Sequence, residues 1–245
     1  MTRTTAKDLG IDAAGNRAGD ALGSVPGIGR WLAAVGIALT SLVAAVVAAI
    51  AGLVTRNVPA AVAGGVIVVL GKVVALVQAI AGLERGRGLT DAEATLLEGV
   101  YGDSVDLAAV RLVPGRAGVF GASERPFTLG ATVYLKRETL SDHVLVHECA
   151  HVWQYQHLGS RYAFDAVWAQ WRVKPDAYVW ADELGRGRRH WHEFNREAQA
   201  KFLEDIARFE PDFFTSDTAR FVRGGTDHTD LARAAVAQIR AGRLS

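Results

Sequence analysis

Sulfur is scarce in this 245-residue chain, which holds one cysteine, Cys149, and one methionine, Met1. A single cysteine excludes an internal disulfide framework and a zinc site built from several thiolates. An excess of either charge is also missing, since 27 Lys and Arg face 26 Asp and Glu for a formal net charge of +1. The balance points neither to nucleic acid nor to an acidic partner. Hydrophobic residues, by contrast, make up 50% of the chain, and the mean hydropathy is slightly positive. That excess is concentrated in one region.

Residues 1–30 are rich in Gly, Ala, Thr and Asp, with Arg3, Lys7, Arg17 and Arg30. They read as a flexible, mildly basic lead and fit a secretory signal poorly. From Trp31 to Val54 no charge occurs, and a second apolar run from Ala60 to Leu83 is broken only by Lys72. At about 1.5 Å per residue, either run reaches across a hydrocarbon core of roughly 30 Å. With Thr55-Arg56-Asn57-Val58-Pro59 as the turn, residues 31–83 read as a hydrophobic helical hairpin at a membrane. Gly36, Ser41, Ala45, Ala48 and Gly52 would meet Gly64, Gly65, Gly71 and Ala75 across a close seam. Lys72 favours the rival reading, two buried helices in a soluble domain, because an ammonium at mid-depth costs about 2.5–3.5 kcal/mol. In a spanning hairpin, Arg17, Arg30, Arg85 and Arg87 outweigh Arg56 in the turn, which places the following domain on the cytoplasmic side.

From Leu89 the composition becomes that of a globular domain. Thr90 can cap a helix running to about Tyr101, with Asp91 and Glu93 in its first turn. Alternation between Asp106 and Phe120, with Pro114-Gly115 as a turn, predicts short strands, and Ala131 to Leu135 reads as another. Ser141 can cap a helix from Asp142 to Leu158, which Gly159 ends. Helical segments follow from Arg161 to Glu183 and again before Pro211, and the tail from Thr226 suggests one amphipathic helix. The expected class is α+β, with a domain at 89–209 and a helical tail at 210–245.

His147-Glu148-Cys149-Ala150-His151 carries the chemistry. On a helix, positions i and i+4 stand one above the other, so both imidazoles can share one Zn²⁺. Glu148 then projects beside the metal, where it can act as general base toward water. Two patterns compete for the third ligand. A metzincin HExxHxxGxxH spacing would use His157, but Gln154 stands where that pattern needs Gly. On an unbroken helix His157 lies about 240° round from His151, and no methionine is left for a Met-turn. A gluzincin arrangement takes a Glu from a later helix instead. Asn195 can cap such a helix and place Glu197 in its first turn, beside the stripe Ala198, Phe202, Leu203 and Ile206. Glu197 is preferred, with Glu193 and His192 as alternatives.

The segments Tyr101-Gly102-Asp103-Ser104-Val105-Asp106, Val133-Tyr134-Leu135, Val146 to Gln156 and Asn195-Arg196-Glu197-Ala198-Gln199-Ala200 together resemble bacterial DUF4157-type and Vgr-related zincins. The likeness covers roughly residues 89–209 and leaves out the hairpin. It implies a zincin-like fold, supports Glu197 over Glu193 as the third ligand, and suggests attachment to a secretion or toxin system without supplying a substrate.

The expected function is a membrane-associated zinc metallopeptidase of bacteria. His147, His151 and Glu197 would bind Zn²⁺, Glu148 would be the general base, and a peptide or protein would be the substrate. The rivals are a membrane-inserting or secretion-system effector whose zincin domain is processing machinery or cargo, and a domain in which zinc is only structural. His143 reads as a first-turn residue, Gln154 and Trp153 as packing, and Cys149 as facing the core.

Overall fold

The computed structural model describes residues 10–25, 28–52, 58–115, 118–123, 125–136, 140–172 and 176–244. The N-terminal segment departs first from expectation, because Ile11–Gly23 is a helix (α1) and not a flexible lead. Its Gly and Ala content reflects close approach. A Cβ on Gly15 would overlap Thr40, and one on Gly19 would overlap Ile37. Asn16 donates to the Ala108 carbonyl (2.9 Å), and Asp20 pairs with Arg111 (2.7 Å), which ties α1 to the domain beyond the apolar runs.

Helices α2 (Gly29–Gly52) and α3 (Val58–Ile80) form the expected apolar pair, each long and apolar enough to cross a membrane by length and composition. Of the expected turn, residues 55–57 lie outside the described residues. The small residues divide between two partners. A Cβ on Gly65 would come within 2.9 Å of Ala49, as a helix–helix seam requires. One on Gly64 would overlap the Ser160 carbonyl, and one on Gly71 would come within 2.6 Å of Leu129, so these two glycines receive the following domain. Further contacts run along α3, from Ser160 donating to the Ala61 carbonyl (3.2 Å) to Gln78 accepting from the Val119 N–H (2.6 Å). That stretch of helix is about 25 Å long. Lys72 lies on this docked side, 2% exposed, donating to Ser41 (3.1 Å) and Thr132 (2.8 Å). The opposite face, including Leu39, Val43, Ile50, Val66, Leu70 and Val77, is exposed.

The rest is mixed α+β and mostly helical. Helix α4 (Asp91–Tyr101) opens on the predicted Thr90 with a full capping box, and Arg87 grips Glu93 through two bonds of 2.7 and 2.8 Å. Strands β1 (Arg111–Val113), β2 (Phe127–Leu129) and β3 (Thr132–Tyr134) form one sheet in the order β1-β3-β2, with β3 parallel to β1 and antiparallel to β2. The alternation read between 106 and 120 yields one strand, flanked by single turns at Leu107–Ala109 and Gly118–Ala122.

Helix α5 spans the predicted Asp142–Leu158 and stops at Gly159, whose φ of 66° suits glycine. One detail differs, since Ser141 makes no side-chain cap. The helix is buried all round from Leu145 to Gln156. Helices α6 (Arg161–Arg172), α7 (Trp180–Gly185) and α8 (Arg196–Phe209) follow. A two-stranded ribbon, β4 (Val222–Arg223) with β5 (Thr226–Asp227), then precedes α9 (Thr229–Arg240). The tail is therefore not a single helix from Thr226. Ala232, Ala235 and Ile239 are buried, and Arg240 donates to the Phe214 carbonyl (2.7 Å), so α9 completes the core.

Because the Ser160 carbonyl that faces Gly64 is backbone, it cannot move aside for a methyl group. Gly64→Ala is expected to cost about 1–3 kcal/mol of stability, read as a lowered melting midpoint of the full chain. An unchanged midpoint would mean that α3 does not dock on α6 in solution.

Candidate metal centre

The HExxH helix α5 and the Asn195-capped helix α8 lie side by side. Asn195 Oδ1 accepts from the N–H groups of Glu197 and Ala198 (3.0 Å each), which starts α8 where it aims Glu197 at α5. Glu197 Oε2 lies 3.4 Å from His151 Nε2 and 3.7 Å from His147 Nε2. One ligand atom from each of His147, His151 and Glu197 falls within 4.8 Å of the others, and all three residues are buried. The structure thus brings together the two histidines of the motif and Glu197, the preferred of the three candidates for third ligand.

The outward imidazole nitrogens are also engaged. Glu204, two turns along α8 from Glu197, places Oε2 3.0 Å from His147 Nδ1, an ion-pair contact that lacks hydrogen-bond alignment. Gln154 Oε1 lies 2.9 Å from His151 Nδ1, and the same amide donates to the Arg196 carbonyl and to Gln199 (3.1 Å each). Gln170 donates to Glu197 Oε1 (2.7 Å). These partners fix ring orientation and leave both Nε2 atoms facing Glu197, as metal-ligating histidines require. Sequence reasoning assigned Gln154 to packing and missed Glu204 and Gln170. The i+7 spacing from Glu197 to Glu204 was the available signal for the former, and Gln170 carried none.

Glu148 is 4% exposed and points toward the sheet, where the Thr128 hydroxyl donates to its Oε2 (2.8 Å). The strand beside α5 at the edge of the sheet is β2, since β3 is paired on both sides. The half-buried Tyr178 ring stacks on His147 with centroids 6.0 Å apart, and burial pushes its phenol up to about 12. Tyr134 instead donates to Glu84, and Tyr162 to the Thr128 carbonyl.

The remaining candidates lie elsewhere. Glu193 accepts from the N–H groups of Arg189 and His190 (2.7 and 2.9 Å) and braces that loop. His192 stacks on His190, His157 contacts the Ser104 carbonyl, and His143 stays near Ser141 in the first turn of α5. Cys149 is fully buried, and burial pushes its thiol up from the ordinary value, against a nucleophilic role.

Burial opposes every charge in the cluster, and the neighbouring charges decide which way each group shifts. Despite burial, His151 and His147 hold the Glu197 carboxyl well below the usual range. Against the same burial, Glu197 and Glu204 raise His147 to about 10, and Glu197 raises His151. Glu204 is held down to about 2 by His147 and Lys201, also against burial. Glu148 moves the other way, because burial outweighs the two histidines and raises it. A raised carboxyl suits a general base working near neutrality.

No family model matches this sequence, and no solved structure matches it. Over 166 residues, 60% of the chain, it is 29% identical to the type VI secretion system spike protein VgrG2b of Pseudomonas aeruginosa. The chain covers 16% of the length of that relative.

The His147 imidazolium is held up to about 10 against 6.5 for the free group. Its contribution to the metal-free fold is complete below about pH 6.5 and is lost as pH climbs through about 10. Glu197, held down from 4.5, contributes above that value and loses its effect only in acid. Melts in a strong chelator should therefore show stability falling from pH 6.5 toward 10. A flat or rising profile would contradict this ion cluster.

Proposed function

We propose that this chain serves a bacterial secretion system as an effector, and that His147, His151 and Glu197 hold a zinc ion for peptide-bond hydrolysis on a zincin-like scaffold. The likeness to a type VI secretion spike protein supports the first half. The second half rests on one observation, the convergence of two imidazoles and a carboxylate, all buried, within 4.8 Å. Two nitrogens and one oxygen are a donor set that suits zinc and leaves coordination room for a substrate.

A zinc ion in this position supplies Lewis acidity, polarising a carbonyl and lowering the pKa of water. The chain's own groups do the rest. Glu148, with its raised pKa and its Thr128 partner, takes a proton from the attacking water and returns it to the departing amine. Glu204 and Gln154 keep the two rings in register. The Tyr178 phenol, stacked beside His147 and accepting from Gln170 (3.3 Å), keeps its own O–H for a developing oxyanion. The outward apolar face of α2 and α3 gives the effector a surface for membrane association, and Arg30 and Arg85 at one end of the hairpin suit anionic headgroups. As docked, α3 is covered by the hydrated domain along its length, so crossing a bilayer requires the hairpin to leave that domain.

The depth of the site favours a second reading, since His147, Glu148, His151 and Glu197 are each no more than 7% exposed. In that reading a metal only ties α5 to α8. Glu148→Gln separates the two. A catalytic site predicts that the variant keeps bound metal and its melting midpoint while cleavage of an unfolded protein substrate falls at least about a hundredfold. Cleavage equal to wild type would remove Glu148 from the chemistry.

A further inference from the structure

A cavity of about 470 Å³ lies between α1, the hairpin and the sheet, and none of the three candidate metal ligands lines it. This volume is in the range of sites that enclose a small molecule, about 300–1,000 Å³. Its walls are of two kinds. Ala33, Ala38, Ala75 and Ala79 give an apolar side contributed by α2 and α3. Lys72 and Arg111 give a cationic side. Arg111 and Thr132 are cross-strand partners of β1 and β3, and Lys72 donates to Thr132, so the two cations are neighbours over one sheet face.

Neither cation is fully satisfied by the protein. Lys72 Nζ, with three N–H donors, spends two on the hydroxyls of Ser41 and Thr132. Its charge is partly balanced by Asp12, which accepts from the Ser41 hydroxyl (2.8 Å), and by Glu84, while one N–H is left for a further acceptor. Arg111 is 7% exposed and bonds Asp20 and the Gly86 carbonyl, while its Nε is buried without a partner. Unmatched buried donors of this kind are costly, and native structures normally satisfy them. Of the charged residues lining the cavity, Arg30, Lys72, Arg85 and Arg111 outnumber Asp20 and Glu84. Burial pushes the carboxyls of Asp12 and Glu84 up and the Lys72 ammonium down from their ordinary values. An anion beside Lys72 and Arg111 favours the two cations, and the Asp12 and Glu84 carboxyls, already pushed toward their neutral forms, oppose it least when protonated.

We infer that this cavity binds a small amphiphile with an anionic head, the head between Lys72 and Arg111 and the alkyl chain along the alanine wall. Trp31, 41% exposed, is also on the lining. The site is independent of the metal centre, and its occupant would bridge the hairpin to the domain on which it docks.

Calorimetric titration of the full chain with dodecanoate, dodecyltrimethylammonium and inorganic phosphate tests this, each below its aggregation concentration. The expected result is one dodecanoate per chain, with neither other probe competing. Lys72→Met should weaken dodecanoate at least about tenfold by removing a charged donor. Ala34→Phe, a substitution at a partly exposed lining position that should not unfold the chain, should do the same by filling the cavity. Four results would each overturn the proposal: no dodecanoate binding, equal binding of the cationic amphiphile, phosphate alone binding as tightly, or binding insensitive to Ala34→Phe. The last would place the detergent on the outer apolar face of the hairpin.

Discussion

A carboxylate only 2% exposed, held between two buried imidazoles, is the constraint around which this protein is arranged. An ion taken out of water loses several kcal/mol of solvation even after relaxation, and good geometry has to restore it. Here the restoring groups come from three helices. His147 and His151 come from α5, Glu197 and Glu204 from α8, and Gln170 from α6. Their separation in sequence means that the chain must bury α5 on every side before the cluster can exist. That explains a helix with charged residues at its centre and no polar face.

The same burial links the centre to the hairpin. Helix α6, which carries Gln170, begins after Ser160, and Ser160 sits against Gly64 of α3. The sheet that offers Thr128 to Glu148 presents Thr132 to Lys72. The apolar helices are thus one wall of the domain that holds the site, with their other side exposed.

What could be read from the sequence was what depends on local rules. The capping box at Thr90, the Asn195 cap and the stop of α5 at Gly159 follow from residues acting within one turn, and the structure has them where expected; α5 also starts where expected, though without the Ser141 side-chain cap. The grouping of His147, His151 and Glu197 was legible because helical periodicity fixes the first two and a cap fixes the third. Helix α1 was not legible. Its buried stripe is Ala13, Gly15, Asn16 and Gly19, which carries no hydrophobic period and reads as flexibility until Thr40 and Ile37 are seen against it. Lys72 looked like a penalty inside an apolar run because the hydroxyl that receives it, on Thr132, is remote in sequence. The order of the sheet was not legible either, because β1 joins the far side of β3, a pairing that no short strand announces. Glu204 and Gln170 belong to the same class, since their role exists only once α5, α6 and α8 are packed.

Metal content measured on the purified full chain tests the central claim most directly, with wild type beside Glu197→Ala and Glu193→Ala. The account predicts about one zinc per chain in wild type and in Glu193→Ala, and loss of zinc in Glu197→Ala, because Glu197 reaches both imidazoles and Glu193 does not. Wild type without zinc under metal-replete conditions, or Glu197→Ala retaining it as tightly, would contradict the account.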